Sequence, residues 1–173
     1  MQVVGALDFI KGIFYLIRRV YMAILELSNF YDERFKQCFR AYFLEIGVNL
    51  KADTDVFDDI TKSYEKENMR TFVIEEEKQF VGFIMLQPEY LKSGFFEEPV
   101  GFIRELWVAP SFRRLGYGKQ LIEIAEDYFK RKEIYKLILT YEDDALEFYK
   151  RLGFKLDSSY KAKNDGNVIV KYI

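Results

Sequence analysis

The stretch that most constrains this chain is RRLGYGK, residues 113–119, set between the apolar run VGFIRELWVAP and an amphipathic run that begins QLIEIAEDYF. The first run, closed by Pro110, reads as a strand. In the second, Leu121, Ile122, Ile124, Ala125, Tyr128 and Phe129 recur at the spacing of one helix face, predicting a helix over about 116–132. The stretch is therefore a strand-to-helix junction carrying two glycines and three cations. Gly116 and Gly118 allow backbone angles and close approaches denied to other residues, turning N–H groups toward one centre at the helix N-terminus. The helix dipole, with Arg113, Arg114 and Lys119, adds positive potential there. Such a centre suits a phosphate or pyrophosphate; the same residues also suit a basic turn with a glycine-assisted helix start. The spacing matches neither the Walker A loop nor the dinucleotide pattern G-x-G-x-x-G.

The rest of the chain supplies a context of alternating elements. SNFYDERFKQCFRAYFLEIG predicts a helix from Ser28 stopped by Gly47, and Asp53 or Thr54 caps a second helix through about Asn68. RTFVIEEEKQFVGFIMLQPE reads as two strands around a polar turn at 76–78. After the glycine junction, YKLILTY is a strand and DDALEFYKRLG a short helix ended by Gly153. Closing strands are expected over 155–161 and 168–173, around the turn residues NDG. A strand is also expected near Phe14–Val20, behind a lead-in over 1–12. The order is βααβββαβαββ in a single domain over 1–173. It implies an α/β (α+β) fold with a mixed, mostly antiparallel central sheet and helices on both faces.

Composition narrows the chemistry. The 173 residues carry a net charge of −2, so no global basic field recruits nucleic acid. The chain has one cysteine and no histidine. That removes an internal disulfide, the usual zinc ligands and the usual general base, so no metal site is expected. Cys38, between Phe35 and Phe39 in a periodic run, reads as a small buried hydrophobe. Asp8, Lys11, Arg18, Arg19 and Glu26 interrupt the apolar N-terminal run, so no membrane span is expected and a cytoplasmic protein is.

Two segments together resemble a known family. ELWVAPSFRRLGYGKQLIEIAEDYF followed by LILTYEDDALEFYKRLGFK is similar to the paired motifs of the GNAT superfamily, the acyl-CoA-dependent N-acetyltransferases. The first motif is strand, V-x-P, Arg-x-x-Gly-x-Gly and helix. The second is strand, then Ala145, Tyr149, Gly153 and Phe154 at the family spacing. The resemblance spans 105–154 by motif and nearly the whole chain by element order. It implies acetyl-CoA as cofactor, with coenzyme A pyrophosphate on the loop of Arg113, Arg114, Leu115, Gly116, Tyr117, Gly118 and Lys119. It further implies that Leu106, Trp107 and Val108 line the pantetheine arm, beside Glu142 and Ala145. Glu142 stands where the family often has an asparagine, which puts that contact in question.

By the same resemblance Tyr149 protonates the departing thiolate, and a backbone N–H at Val108 or a neighbour steadies the carbonyl oxygen. Glu105 is the first choice of base, with Glu98 and Tyr141 behind it and ordered water as an alternative. If Glu105 faces the cleft, alternation turns Arg104 and Leu106 the other way. The implied acceptor is a small cationic amine or a peptide or protein amine, drawn by acidic residues around the cleft. No nucleic-acid or membrane partner is expected, and a homodimer is compatible with the apolar N-terminal segment or last strand. Two rival readings are a non-catalytic acyl-CoA-binding module and an RNA-binding protein that uses Arg113–Lys119.

Overall fold

The computed structural model describes residues 22–48, 53–93, 95–162 and 166–173. Its strands are β1 Met22–Glu26, β2 Arg70–Glu76, β3 Gln79–Ser93, β4 Phe96–Val108, β5 Lys136–Thr140, β6 Lys155–Leu156 and β7 Val168–Tyr172. Its helices are α1 Glu33–Glu45, α2 Asp53–Lys66, α3 Tyr117–Lys130 and α4 Leu146–Arg151, with 3₁₀ turns at Pro110–Phe112 and Asp143–Ala145. The strands form one sheet in the order β1-β2-β3-β4-β5-β7-β6, antiparallel throughout except for β4 beside β5. This is the mixed, mostly antiparallel sheet that the element order implies.

The differences from expectation are local and have local causes. The strand expected at 14–20 lies outside the described residues, and β1 begins at Met22. The first helix starts at Glu33 rather than Ser28. The Asn29 side chain accepts the Tyr31 N–H (2.9 Å) and Asp32 accepts the Arg34 N–H (2.9 Å), holding 29–32 as a turn and capping α1. β6 ends at Leu156 instead of 161 because Asp157 accepts the Ser159 N–H (3.0 Å) and turns the chain out of the ladder. β3 and β4 run longer than predicted, pairing through Pro88↔Gly101 out to Ser93↔Phe96.

Each face of the sheet carries its own core. On one, Phe35, Cys38 and Phe39 of α1 and Phe57 of α2 pack against Val73, Phe83, Met85 and Trp107. Cys38 is 4% exposed there, and burial pushes its thiol up to about 12, as suits a small hydrophobe. On the other face, Leu121, Ile122, Ala125 and Phe129 of α3 and Tyr149 of α4 pack against Ile84, Ile103 and Val108. Gly101 lets α3 sit this close, since a Cβ there would fall 2.5 Å from the Phe129 ring. Each fully buried large side chain contributes about 1.5–3 kcal/mol.

Two irregularities in β4 create the site. Met85 pairs with Glu105 but Leu86 pairs with Ile103, so Arg104 is an extra residue and β4 bulges. β4 meets β5 only at Gly101↔Leu137 and Phe102↔Ile138. Past the bulge the two parallel strands diverge and a wedge opens beside Ile103–Val108.

Candidate active site

The wedge is lined by backbone on its β4 side. The Ala109 N–H donates to the Val81 carbonyl (2.9 Å), so Gly82↔Val108 is a pair whose own N–H and C=O groups face away from β3. By alternation, both backbone polar groups of Leu106 and the N–H of Val108 face the wedge, the Val108 carbonyl being taken by Arg113 Nε (2.9 Å), while Trp107 is bonded to β3. An extended, amide-bearing ligand finds a strand edge there. Trp107 sits apart from that edge: its side chain is 6% exposed in the α1–α2 core, and its indole donates to Glu45 Oε2 (2.8 Å).

At the top of the wedge the glycine loop curls through two left-handed residues, Arg114 at φ +63° and Gly116 at φ +88°. For a non-glycine residue that conformation costs roughly 1–2 kcal/mol. The loop is held by its neighbour. The Arg113 N–H donates to the Pro110 carbonyl (3.3 Å), its Nε to the Val108 carbonyl (2.9 Å), and its Nη2 to both oxygens of Glu45 (2.5 and 2.8 Å). Arg113 thus holds the Glu45 carboxyl below its ordinary range. It anchors the loop to α1, and the loop's outward positive charge falls to Arg114 and Lys119.

The first closed turn of α3 is the Gln120 N–H to the Gly116 carbonyl (3.1 Å), leaving the Gly118 and Lys119 amides ahead of it. A Cβ on Gly116 would meet nothing within 4 Å, so it would project into the open space before these amides. A Cβ on Gly118 would fall 3.0 Å from the Phe148 ring, which ties the cradle to α4. Left-handed turns, leading amides and open space fit a bound pyrophosphate. A groove of about 540 Å³ continues from Leu115 and Lys119 along the outer side of α3 to Met22 and Ile24, apart from the residues described next.

Glu105 and Tyr149 come from opposite faces of the sheet. Tyr149 is 7% exposed, and no hydrogen bond among the described residues engages its hydroxyl. Burial, then the charge of Glu105, pushes its phenol up to about 12. Burial raises the Glu105 carboxyl; a hydrogen bond from Tyr42 and the charge of Arg104 pull it part of the way back. The Tyr42 hydroxyl donates to Glu105 Oε2, and Glu142 adds its charge to the same neighbourhood. Ala145 is half-buried at the start of α4.

Three sequence expectations need correction or addition. Arg104 does not turn away from Glu105. The bulge swings its guanidinium to Glu67 (2.7 Å) and to Met69 Sδ (3.5 Å), on the α1–α2 side where Glu105 meets Tyr42. Glu98 lies at the far end of β4, bonded to Lys136 (3.1 Å), and takes no part in the wedge. Tyr42 and Glu45 were not singled out in the sequence. Helical periodicity puts Tyr42 on the buried face of α1, yet nothing in the spacing joins it to a residue 63 positions further on.

A split sheet with an amide-bearing strand edge, headed by a glycine turn at a helix start, is the architecture that comparison with known proteins then places. The model of the acetyltransferase (GNAT) family matches residues 26–154, and the chain belongs to that family. It is 38% identical over 72 residues to a glucosamine 6-phosphate N-acetyltransferase of Trypanosoma brucei brucei, covering 42% of this chain and 47% of that one. An N-alpha-acetyltransferase of Sulfurisphaera tokodaii is 29% identical over 92 residues, 49% of this chain and 55% of the other. The chain thus spans about half the length of these curated relatives. Among solved structures, the PaiA N-acetyltransferase of Thermoplasma acidophilum in complex with coenzyme A shares the fold. Its TM-score is 0.64 at 17% identity, over 88% of this chain and 99% of that one.

Proposed function

We propose that the protein transfers the acetyl group of acetyl-CoA to a cationic amine by direct attack while donor and acceptor are bound together. The observation that carries this is the parting of β4 from β5 beside the left-handed glycine turn, with Glu105 held on one face of β4 and Tyr149 buried against the other. Bound acetyl-CoA supplies an activated acyl carbon and a thiolate leaving group. The residues do the rest. Gly116, Gly118 and Lys119, with Arg114, hold the pyrophosphate, and the Leu106 and Val108 edge aligns the arm. The outward N–H of Val108 is aimed where charge builds on the carbonyl oxygen.

The acceptor amine arrives protonated, and Glu105, a stronger base than an ordinary carboxylate because it is half-buried, takes its proton directly or through one water. Tyr149 keeps its proton at neutral pH, because a buried phenolate beside Glu105 is unfavourable. Its hydroxyl would donate to the sulfur and pass its proton there as the carbon–sulfur bond breaks, and the second proton of the attacking nitrogen would return to the phenolate, so that one proton in all is left on Glu105.

The groups acting on Glu105, Tyr42 and Tyr149 are acidic or phenolic apart from Arg104, whose Nη1 is already held by Glu67 (2.7 Å) and Gln87 (2.9 Å). That favours an acceptor with positive charge and no phosphate, such as a polyamine or a peptide amine, over a sugar phosphate. The test is release of coenzyme A thiol from acetyl-CoA with spermidine, a lysine-bearing peptide and glucosamine 6-phosphate. Release with the first two and little with the third supports this reading. Thermal stabilisation by acetyl-CoA without release for any amine would make the protein an acyl-CoA-binding module instead.

A further inference from the structure

We infer that Tyr42 is a positioning residue that sets the orientation and the charge state of the Glu105 carboxyl. The inference deepens the reading of Glu105 as the base and rests on it for its catalytic meaning.

The geometry points one way. Tyr42 lies on α1, and its ring is clamped by three aromatic rings. It meets Phe83 edge-on at 5.6 Å and 83°, Phe43 at 5.2 Å and Phe39 at 5.8 Å. Two of these belong to α1 and the third to β3, so the ring is held between helix and sheet and its hydroxyl has a defined direction. That hydroxyl donates to Oε2 of Glu105. No hydrogen bond among the described residues engages Oε1, which is left to receive the proton of an amine.

The other groups that face the pair are few. Arg104 acts on Glu105 from the same strand, the charge of Glu105 acts in turn on Tyr149 of α4, and Glu142 acts on Tyr42 from before the 3₁₀ turn; Met85, the partner of Glu105 on β3, is neutral. Arg104 is committed to Glu67 and Gln87. Tyr42 is therefore the one direct donor to the carboxylate among these groups. Without it, a half-buried carboxyl would hold its proton to higher pH and rotate freely between two orientations. Both changes would cost the base its readiness near neutral pH.

The test compares Tyr42→Phe, which keeps the ring and its packing, with Glu105→Gln and the parent protein. Titration of the ¹³C-labelled Glu105 carboxyl by NMR needs no acceptor. In Tyr42→Phe its midpoint should rise by about one to two pH units, the range expected for losing a hydrogen bond to a charged group. In acetyl transfer to spermidine, the acid limb of the rate profile should move up by the same amount, with the rate recovering at higher pH. An unmoved NMR midpoint overturns the inference whatever the kinetics show. A moved midpoint with a fully active Glu105→Gln leaves the link from Tyr42 to Glu105 standing and removes Glu105 as base.

Discussion

At the scale of single residues, the proposed base sets stability against function in one carboxyl. The folded-state pKa of Glu105 is raised above its ordinary value. A carboxyl shifted that way favours the folded state most at acid pH, where it is protonated. That contribution is lost as pH rises through the folded pKa, so at neutral pH the charged Glu105 is a net cost to stability. Glu105→Gln removes the cost while still accepting the Tyr42 hydrogen bond. Its thermal midpoint at pH 7.5 should equal or exceed that of the parent, while turnover falls by about 10²-fold or more. A thermal midpoint well below the parent would show Glu105 to be structural. Tyr149→Phe makes the complementary case. No hydrogen bond among the described residues is lost with the hydroxyl, so acetyl-CoA affinity by calorimetry should hold while turnover drops at least tenfold. An unchanged rate would take away its part in proton delivery.

At the scale of elements, the glycine loop was legible in the sequence because its chemistry is local. A strand, two glycines and a helix start within a few residues of one another, and the backbone angles at Gly116 follow from that order. Gly116→Val therefore has a defined expectation. The residue sits at φ +88° with open space before it, so valine adds strain and places methyl groups where the proposed pyrophosphate site lies. Stabilisation of the protein by acetyl-CoA should vanish in this variant, and retained affinity would remove the loop from the binding site. Other elements were only half legible. The order of strands and helices came through hydrophobic periodicity. The bulge at Arg104 did not, because ELW and its neighbours read as an unbroken strand whether or not one residue is extra. Nor did the partners of Glu45: the carboxylate links α1 to Trp107 and Arg113 across more than sixty positions, and no short-range pattern encodes such a meeting.

At the scale of the whole molecule, the proposed reaction lies between two cores that share one sheet. Trp107 and Phe83 belong to the α1–α2 core, and Tyr149, Val108 and Leu121 to the α3–α4 core, yet Trp107 and Val108 are neighbours on β4. The wedge is where neither layer closes the sheet, so a ligand in it touches residues whose supports lie on both sides. Coupling between the layers follows, and the single tryptophan reports it. Its indole is buried and bonded to Glu45, so its emission follows docking of α1, while far-UV circular dichroism follows all elements together. The two probes should give coincident thermal transitions, because β3 and β4 cannot unfold beneath one layer and persist beneath the other. Acetyl-CoA at about 100 times its dissociation constant should raise both by the equivalent of about 2.7 kcal/mol. If ligand moves only the dichroism and leaves the tryptophan transition behind, the α1–α2 layer is an independent unit. Tyr42 and Glu45 would then meet β4 without being held by what binds in the wedge.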